Sequence, residues 1–261
     1  MLQRTREMNL ARMRRSSTVW RAVLAAMGAM IVTMSVAGEL DVKRSASDPV
    51  ETGVTAWDRG HYATSMRAWR PAADRGDPMA QNNIGLLYER GLGVPQSYVE
   101  AMVWYRRAAE KNLSQAQYNI GLLYHAGYGV ERNPREALAW FRKAAAQNLA
   151  HAQYMLGLIH HEGQGSLANP SLALDWFHKA AIQGHAGGQM MAGLLYLSGD
   201  AGKVDAERAF LWSDVALRNG MSDAELIRDY ASYKLSRKKI EAARRDAERC
   251  FTSAFKSCPQ R

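Results

Sequence analysis

Cysteine is nearly missing from this 261-residue chain: the two present, Cys250 and Cys258, lie within the last dozen positions. No cysteine stands near the N-terminus, which excludes a lipid-modified N-terminal cysteine. No uninterrupted apolar run reaches the roughly 20 residues that a helix needs to cross a bilayer. Several motifs of common enzyme chemistries are also absent: there is no G-x-S-x-G, no P-loop, no H-E-x-x-H and no G-x-G-x-x-G opening a helix. His160, His161 and Glu162 are adjacent, but neighbouring positions on a helix point about 100° apart, so they do not converge on a metal. No metal, no cofactor and no enzymatic activity are expected. His160 reads instead as a core histidine.

What is present at the N-terminus is an export signal. Arg4, Arg6, Arg12, Arg14, Arg15 and Arg21 precede an uncharged stretch, Ala22 to Val36, and Ser35-Val36-Ala37 supplies small residues at a cleavage point. The order basic, apolar, small predicts a signal peptide over 1–37 cleaved after Ala37, with Met8 or Met13 as alternative starts. The competing reading is an uncleaved inner-membrane anchor over 22–37. Either way the charge argument changes. The whole chain carries +9, but six of its 34 Lys and Arg and one of its 25 Asp and Glu lie before residue 38, so the remainder carries only +4. Nucleic acid is therefore not an expected partner. In an oxidising compartment Cys250 and Cys258 are expected to pair. On a continuous helix they would stand about 12 Å apart along the axis, too far for a disulfide, so the chain must turn, with Lys256-Ser257 as the expected place.

The rest of the sequence repeats every 36 residues. Four units run 79–114, 115–150, 151–186 and 187–222, preceded by a half-repeat over 54–78 and by residues 38–53, which lack periodicity and contain the breaker Asp48-Pro49 and so read as a flexible leader, and followed by a polar helical cap over 223–261. Each unit reads as two antiparallel helices. Gly91, Gly127, Gly163 and Gly199 stop the first helix, where a left-handed residue is needed. Ser97, Asn133, Asn169 and Asp205 cap the second, with Pro134 and Pro170 in its first turn. Ala80, Ile84, Leu87 and Tyr88 form one buried stripe. Gly85, Gly121, Gly157 and Gly193 interrupt the first helix, which implies close approach by the partner helix, expected through Ala101, Ala137, Ala173 and Ala209. Trp104, Trp140, Trp176 and Trp212 are expected to fill the space between units.

The pattern A-x-x-x-(I/L)-G-L-(L/I)-Y, then G-x-G-V, then A-x-x-W-(Y/F)-x-x-A-A, resembles the Sel-one-like repeat (SLR) of the tetratricopeptide superfamily, in a bacterial exported form. Unit four departs from it at Asp200-Ala201-Gly202. The resemblance implies an all-α fold, an α-solenoid of antiparallel helix pairs wound as a right-handed superhelix with a C-terminal capping helix. It also implies that first-helix side chains line a concave groove: Asn82, Leu86, Glu89 and Arg90; Tyr118, Leu122, His125 and Ala126; Tyr154, Leu158, His161 and Glu162; Met190, Leu194, Leu197 and Ser198. Such a lining suits a peptide or a partner helix, although the leucines would serve equally as packing between units.

The expected function is that of a periplasmic or secreted scaffold or regulator that binds a protein or peptide of the cell envelope. It would touch membrane only if the signal segment stays in place. The polar cap argues against end-to-end polymerisation, so a monomer is expected. Two other readings share the resemblance. One is a structural part of a polysaccharide or outer-membrane assembly. The other is the β-lactam chemistry ascribed to cysteine-rich relatives, which carry a cysteine pair in each repeat where this chain has none.

Overall fold

The computed structural model describes residues 48–258; the expected signal peptide and residues 38–47 of the leader lie outside them. Within these residues there are twelve helices and no strand. They form five successive antiparallel pairs and a two-helix cap: α1 (Pro49–Asp58) with α2 (Tyr62–Asp74), α3 (Pro78–Arg90) with α4 (Tyr98–Glu110), α5 (Ser114–Ala126) with α6 (Pro134–Ala146), α7 (Ala150–Glu162) with α8 (Pro170–Ala181), α9 (Ala186–Ser198) with α10 (Ala206–Arg218), then α11 (Ala224–Ser232) and α12 (Arg237–Thr252). Each helix packs on the next along α1–α11, and the cap adds contacts of α11 with α9 and of α12 with α10. This is the all-α solenoid expected.

The punctuation holds residue by residue. Gly91, Gly127, Gly163 and Gly199 adopt φ between 66° and 78° at the ends of the first helices, the left-handed region that costs other residues Cβ strain. Asn112 and Asn148 do the same, at φ 62° and 64°, after α4 and α6. The side chains of Ser97, Asn133, Asn169 and Asp205 each accept from a backbone N–H of the following turn.

The start of the chain differs from the expectation. Asp48-Pro49 does not mark a flexible leader but opens α1: Asp48 accepts from Val50 N at 2.9 Å and Pro49 occupies the first turn. Residues 49–53 are therefore helical, and the expected half-repeat is a full pair. The same device recurs at Asp77-Pro78, which opens α3 one residue before the expected start of the unit.

The glycines inside the first helices face a different partner from the alanines expected. A Cβ at Gly85, Gly121 or Gly157 would come within 2.5 to 2.6 Å of the rings of Tyr105, Phe141 and Phe177. Gly53 stands likewise against Trp69. Each glycine is thus the seat of one aromatic ring from the second helix. Only in unit four, where Ser213 replaces the ring, does the second-helix backbone itself approach, with Ala209 O at 3.3 Å from a Cβ on Gly193.

The recurring tryptophans also divide. Trp104 and Trp212 are core, whereas Trp140 and Trp176 are half-buried, and the Lys143 and Lys179 ammonium groups lie 4.0 Å from their ring centroids. Between units, side-chain amides form a ladder. Gln147 donates to Gln117 at 2.8 Å and Gln183 to Gln153 at 2.6 Å, while Asn219 donates to Gln189 at 3.1 Å. In unit one the corresponding position is Lys111, and the Gln81 Oε1 below it is buried without a hydrogen bond.

The cap buries Ala224, Ile227 and Ala231 of α11 and Ala243, Ala247 and Cys250 of α12, while Leu226 is exposed. Cys250 and Cys258 are joined, their Cα atoms 4.3 Å apart. The turn that brings them together lies earlier than Lys256-Ser257: α12 ends at Thr252 and the chain reverses through Ala254 and Phe255, both with positive φ.

Candidate partner-binding groove

The first helices stand side by side, and specific contacts join their neighbouring faces. Asn119 of α5 donates to Asn82 of α3 at 3.0 Å. Tyr118 of α5 lies 6.0 Å from the His151 ring of α7. His151 meets His185 edge-on at 5.0 Å, and His185 stacks on Tyr154 at 4.5 Å. Tyr118, His151, His185 and Tyr154 thus make one continuous row of rings across α5, α7 and the start of α9. Below it Phe141 and Phe177, 5.7 and 5.8 Å from the two tyrosines, are the same rings that sit on Gly121 and Gly157.

The expected lining residues are placed unevenly. Tyr118, Leu122, Tyr154, Leu86 and Leu194 are half-buried and Ala126 is exposed. Asn82, Leu158, Met190 and Leu197 are buried, so they belong to the walls. For Met190 and Leu197 the reason is the position of α9, enclosed by α8, α10 and α11 and touching α7. Arg90 turns toward α1, its guanidinium 5.8 Å from the Trp57 ring centroid.

The row carries little charge. Glu89 accepts from the Tyr105 hydroxyl at 2.6 Å; burial raises its pKa, against the pull of that hydrogen bond and of Arg90. Glu162 accepts from the Gln164 amide and is also raised by burial. Burial lowers His125, with Arg132 adding to the effect, and lowers His161 against the opposing charge of Asp200. The His125 Nδ1 is buried without a hydrogen bond. Burial pushes His185 down to about 3, with His151 adding to it, and lowers His151 itself. Tyr118 is raised by burial, and Tyr154 is pushed up to about 12. Neutral imidazoles between neutral phenols give the row no formal charge of its own.

His151 and His185 do not belong to the expected lining. His185 sits between two units, where the pattern assigns a turn, yet its Nδ1 accepts from Gly188 N at 3.1 Å and caps α9. The readable signal was glycine: Gly187 and Gly188 stand at the helix start, and a Cβ on Gly187 would come 3.1 Å from the Tyr154 ring.

Among the described residues no group of three or more His, Cys, Asp or Glu is placed to hold a metal ion, and no helix is long and apolar enough to cross a membrane. Two Ser-x-x-Lys spacings occur in the cap, Ser236 to Lys239 and Ser253 to Lys256. Neither makes a serine–lysine pair: Lys239 is bound to Glu207 at 2.6 Å, and Ser253 donates to Cys250 O at 2.9 Å.

The Sel1 repeat matches four times, at residues 78–113, 114–149, 150–185 and 186–221. No curated protein sequence matches the chain. Among solved structures, the chain is similar to a Sel1 repeat protein from Oxalobacter formigenes at 31% identity and a TM-score of 0.67, over 80% of this chain and 85% of that one. It also resembles a protective antigen of uropathogenic Escherichia coli strains displaying an SLR fold, at 27% identity and a TM-score of 0.49, over 74% of this chain and 50% of that one. An immunity protein, Pa5087, from Pseudomonas aeruginosa shares the fold at 16% identity and a TM-score of 0.50, over 84% and 87%. With four consecutive repeats in register over residues 78–221 and a bacterial relative alike over most of both chains, this protein belongs to the Sel1 repeat family.

Proposed function

We propose that this protein is an exported, non-enzymatic scaffold whose first-helix face captures a segment of another cell-envelope protein. Sel1 repeats generally form non-catalytic scaffolds for protein–protein contact, and that general role is the starting point. The observation that carries the reading further is the continuous row Tyr118, His151, His185 and Tyr154. Large, partly exposed rings with little conformational entropy to lose are the side chains that dominate protein interfaces, and here they are seated on fixed core rings. Export rests on the signal-like N-terminus and on the Cys250–Cys258 disulfide, a bond that persists in oxidising compartments. The protein works as a monomer, in the periplasm or outside the cell.

Tyr118→Ala combined with Tyr154→Ala is expected to abolish partner co-purification while far-UV circular dichroism stays unchanged. Retained co-purification by the folded double variant would contradict the assignment of the face. Export is checked separately, by cell fractionation and by a mature N-terminus at Gly38.

A further inference from the structure

A cavity of about 600 Å³ lies where unit four meets the cap, walled by the 201–204 loop, the first turn of α10 and the turn between α11 and α12. Its loop breaks the pattern of the others. In units one to three the second loop glycine, Gly93, Gly129 or Gly165, packs on the first residues of the preceding second helix, so closely that a Cβ would come within 2.7 to 3.0 Å of them. Unit four has Ala201 at that position, and a Cβ on the neighbouring Gly202 would meet nothing within 4 Å.

The cavity is basic. Lys203, Arg208, Lys234 and Lys239 line it, with Asp205 and Glu207 as the acids. Both acids are engaged: Asp205 accepts from Arg208 N at 2.9 Å and pairs with its Nε at 3.6 Å, and Glu207 binds Lys239 at 2.6 Å. Lys203 and Lys234 pair with no acid among the described residues. The first turn of α10 adds the positive end of a helix dipole.

Against this wall stands Tyr196, 5% exposed, its hydroxyl buried without a hydrogen bond. Equivalent groups elsewhere are served: the Tyr124 hydroxyl accepts from Arg106 at 2.9 Å, and His160 Nδ1 lies 3.4 Å from Ser166 Oγ. For Tyr196 the place of Arg106 is taken by His178 of unit three, whose ring packs edge-on against Trp212. Arg208 stands over the ring face, 5.6 Å from the centroid, and acts on the phenol oxygen through its charge and as a donor, which leaves the hydroxyl proton without an acceptor. A buried hydroxyl left unsatisfied is unfavourable.

We propose that this cavity binds a small organic anion, a carboxylate or a phosphate ester. One anion oxygen accepts from the Tyr196 hydroxyl once the long Arg208 side chain swings off the ring, and Lys203 and Lys234 neutralise its charge. The volume is that of an ordinary small-molecule site.

The test is calorimetric titration of the whole protein with citrate, inorganic phosphate and glycerol 3-phosphate at matched ionic strength, with glycerol as the uncharged control. Saturable one-to-one binding of at least one anion is expected, and the class that binds separates carboxylate from phosphate. Lys203→Ala with Lys234→Ala should weaken it at least about tenfold, the scale of a lost charge-assisted hydrogen bond. Tyr196→Phe, which keeps the ring, should weaken it several-fold, and Lys143→Ala on another unit should change nothing. No saturable binding by any probe, or binding undiminished in the lysine double variant or in Tyr196→Phe, would overturn the proposal.

Discussion

Units two and three differ from unit four in what fills one and the same backbone. In the former, each first-helix glycine seats a phenylalanine ring, the loop glycine docks on the preceding unit, and a tyrosine near the start of the first helix is half-buried. In unit four the ring is Ser213, whose hydroxyl bonds back to Ala209 O at 2.6 Å, the loop glycine is gone, and the tyrosine position is a buried Met190. Yet α9 and α10 keep the 13-residue length of α5, α6 and α7. The frame therefore survives exchange of its packing. The regular units carry the ring row proposed as the recognition surface, and the terminal unit packs against the cap.

The largest effect that would break this contrast is removal of a seated ring. Phe177→Ala should cost about 3–5 kcal/mol in urea unfolding, the usual range for a buried aromatic. Ser213→Ala, at the equivalent place, should cost under about 1 kcal/mol. Equal losses would mean that the ring is not what distinguishes the units. Reducing the Cys250–Cys258 disulfide, which closes a short loop, should cost about 2–3 kcal/mol by chain entropy, and the loss should appear as earlier hydrogen exchange in α11 and α12 while α5–α8 stay protected. Uniform loss of protection would mean that the cap is not a separable region.

Next is Gly121→Ala, where the new methyl meets the Phe141 ring at 2.6 Å; overpacking of this kind costs about 1–3 kcal/mol. At Gly193 the nearest atoms are 3.2 Å away, and the better helix propensity of alanine, about 1 kcal/mol, offsets the crowding. The two melting temperatures should therefore shift by clearly different amounts.

The smallest effect concerns the junction between the regions. His185 is held neutral, with its folded pKa near 3 and an unfolded value of about 6.5. The unfolded state binds the proton more readily, so this group's stabilisation is complete above pH 6.5 and is lost as pH falls toward 3. At pH 5 the loss should be at most about 2 kcal/mol. His185→Asn keeps a capping side chain without a titrating group, and should flatten the fall in melting temperature between pH 7 and pH 5.

The repeat, the caps and the stopping glycines were legible because each answers a local backbone need that recurs in register. Asp48-Pro49 was misread as a breaker although Asn133-Pro134 and Asn169-Pro170 have the same form, because no apolar stripe of full length follows it. The partner of Gly121 was misassigned because helical spacing identifies a close approach but not which side chain makes it. Of the ring row proposed for binding, Tyr118 and Tyr154 could be placed by register. His151 and His185 could not, since their rings meet across separate units, and the burial of Met190 depends on how α11 folds back against α9.

The claim that the first-helix face is the recognition surface is tested most directly by a photo-cross-linking amino acid placed in living cells at position 126, at the exposed end of α5, or at position 139, exposed on α6. A discrete adduct from position 126 and none from position 139 is the predicted result. Adducts from 139 alone, or equally from both, would contradict it.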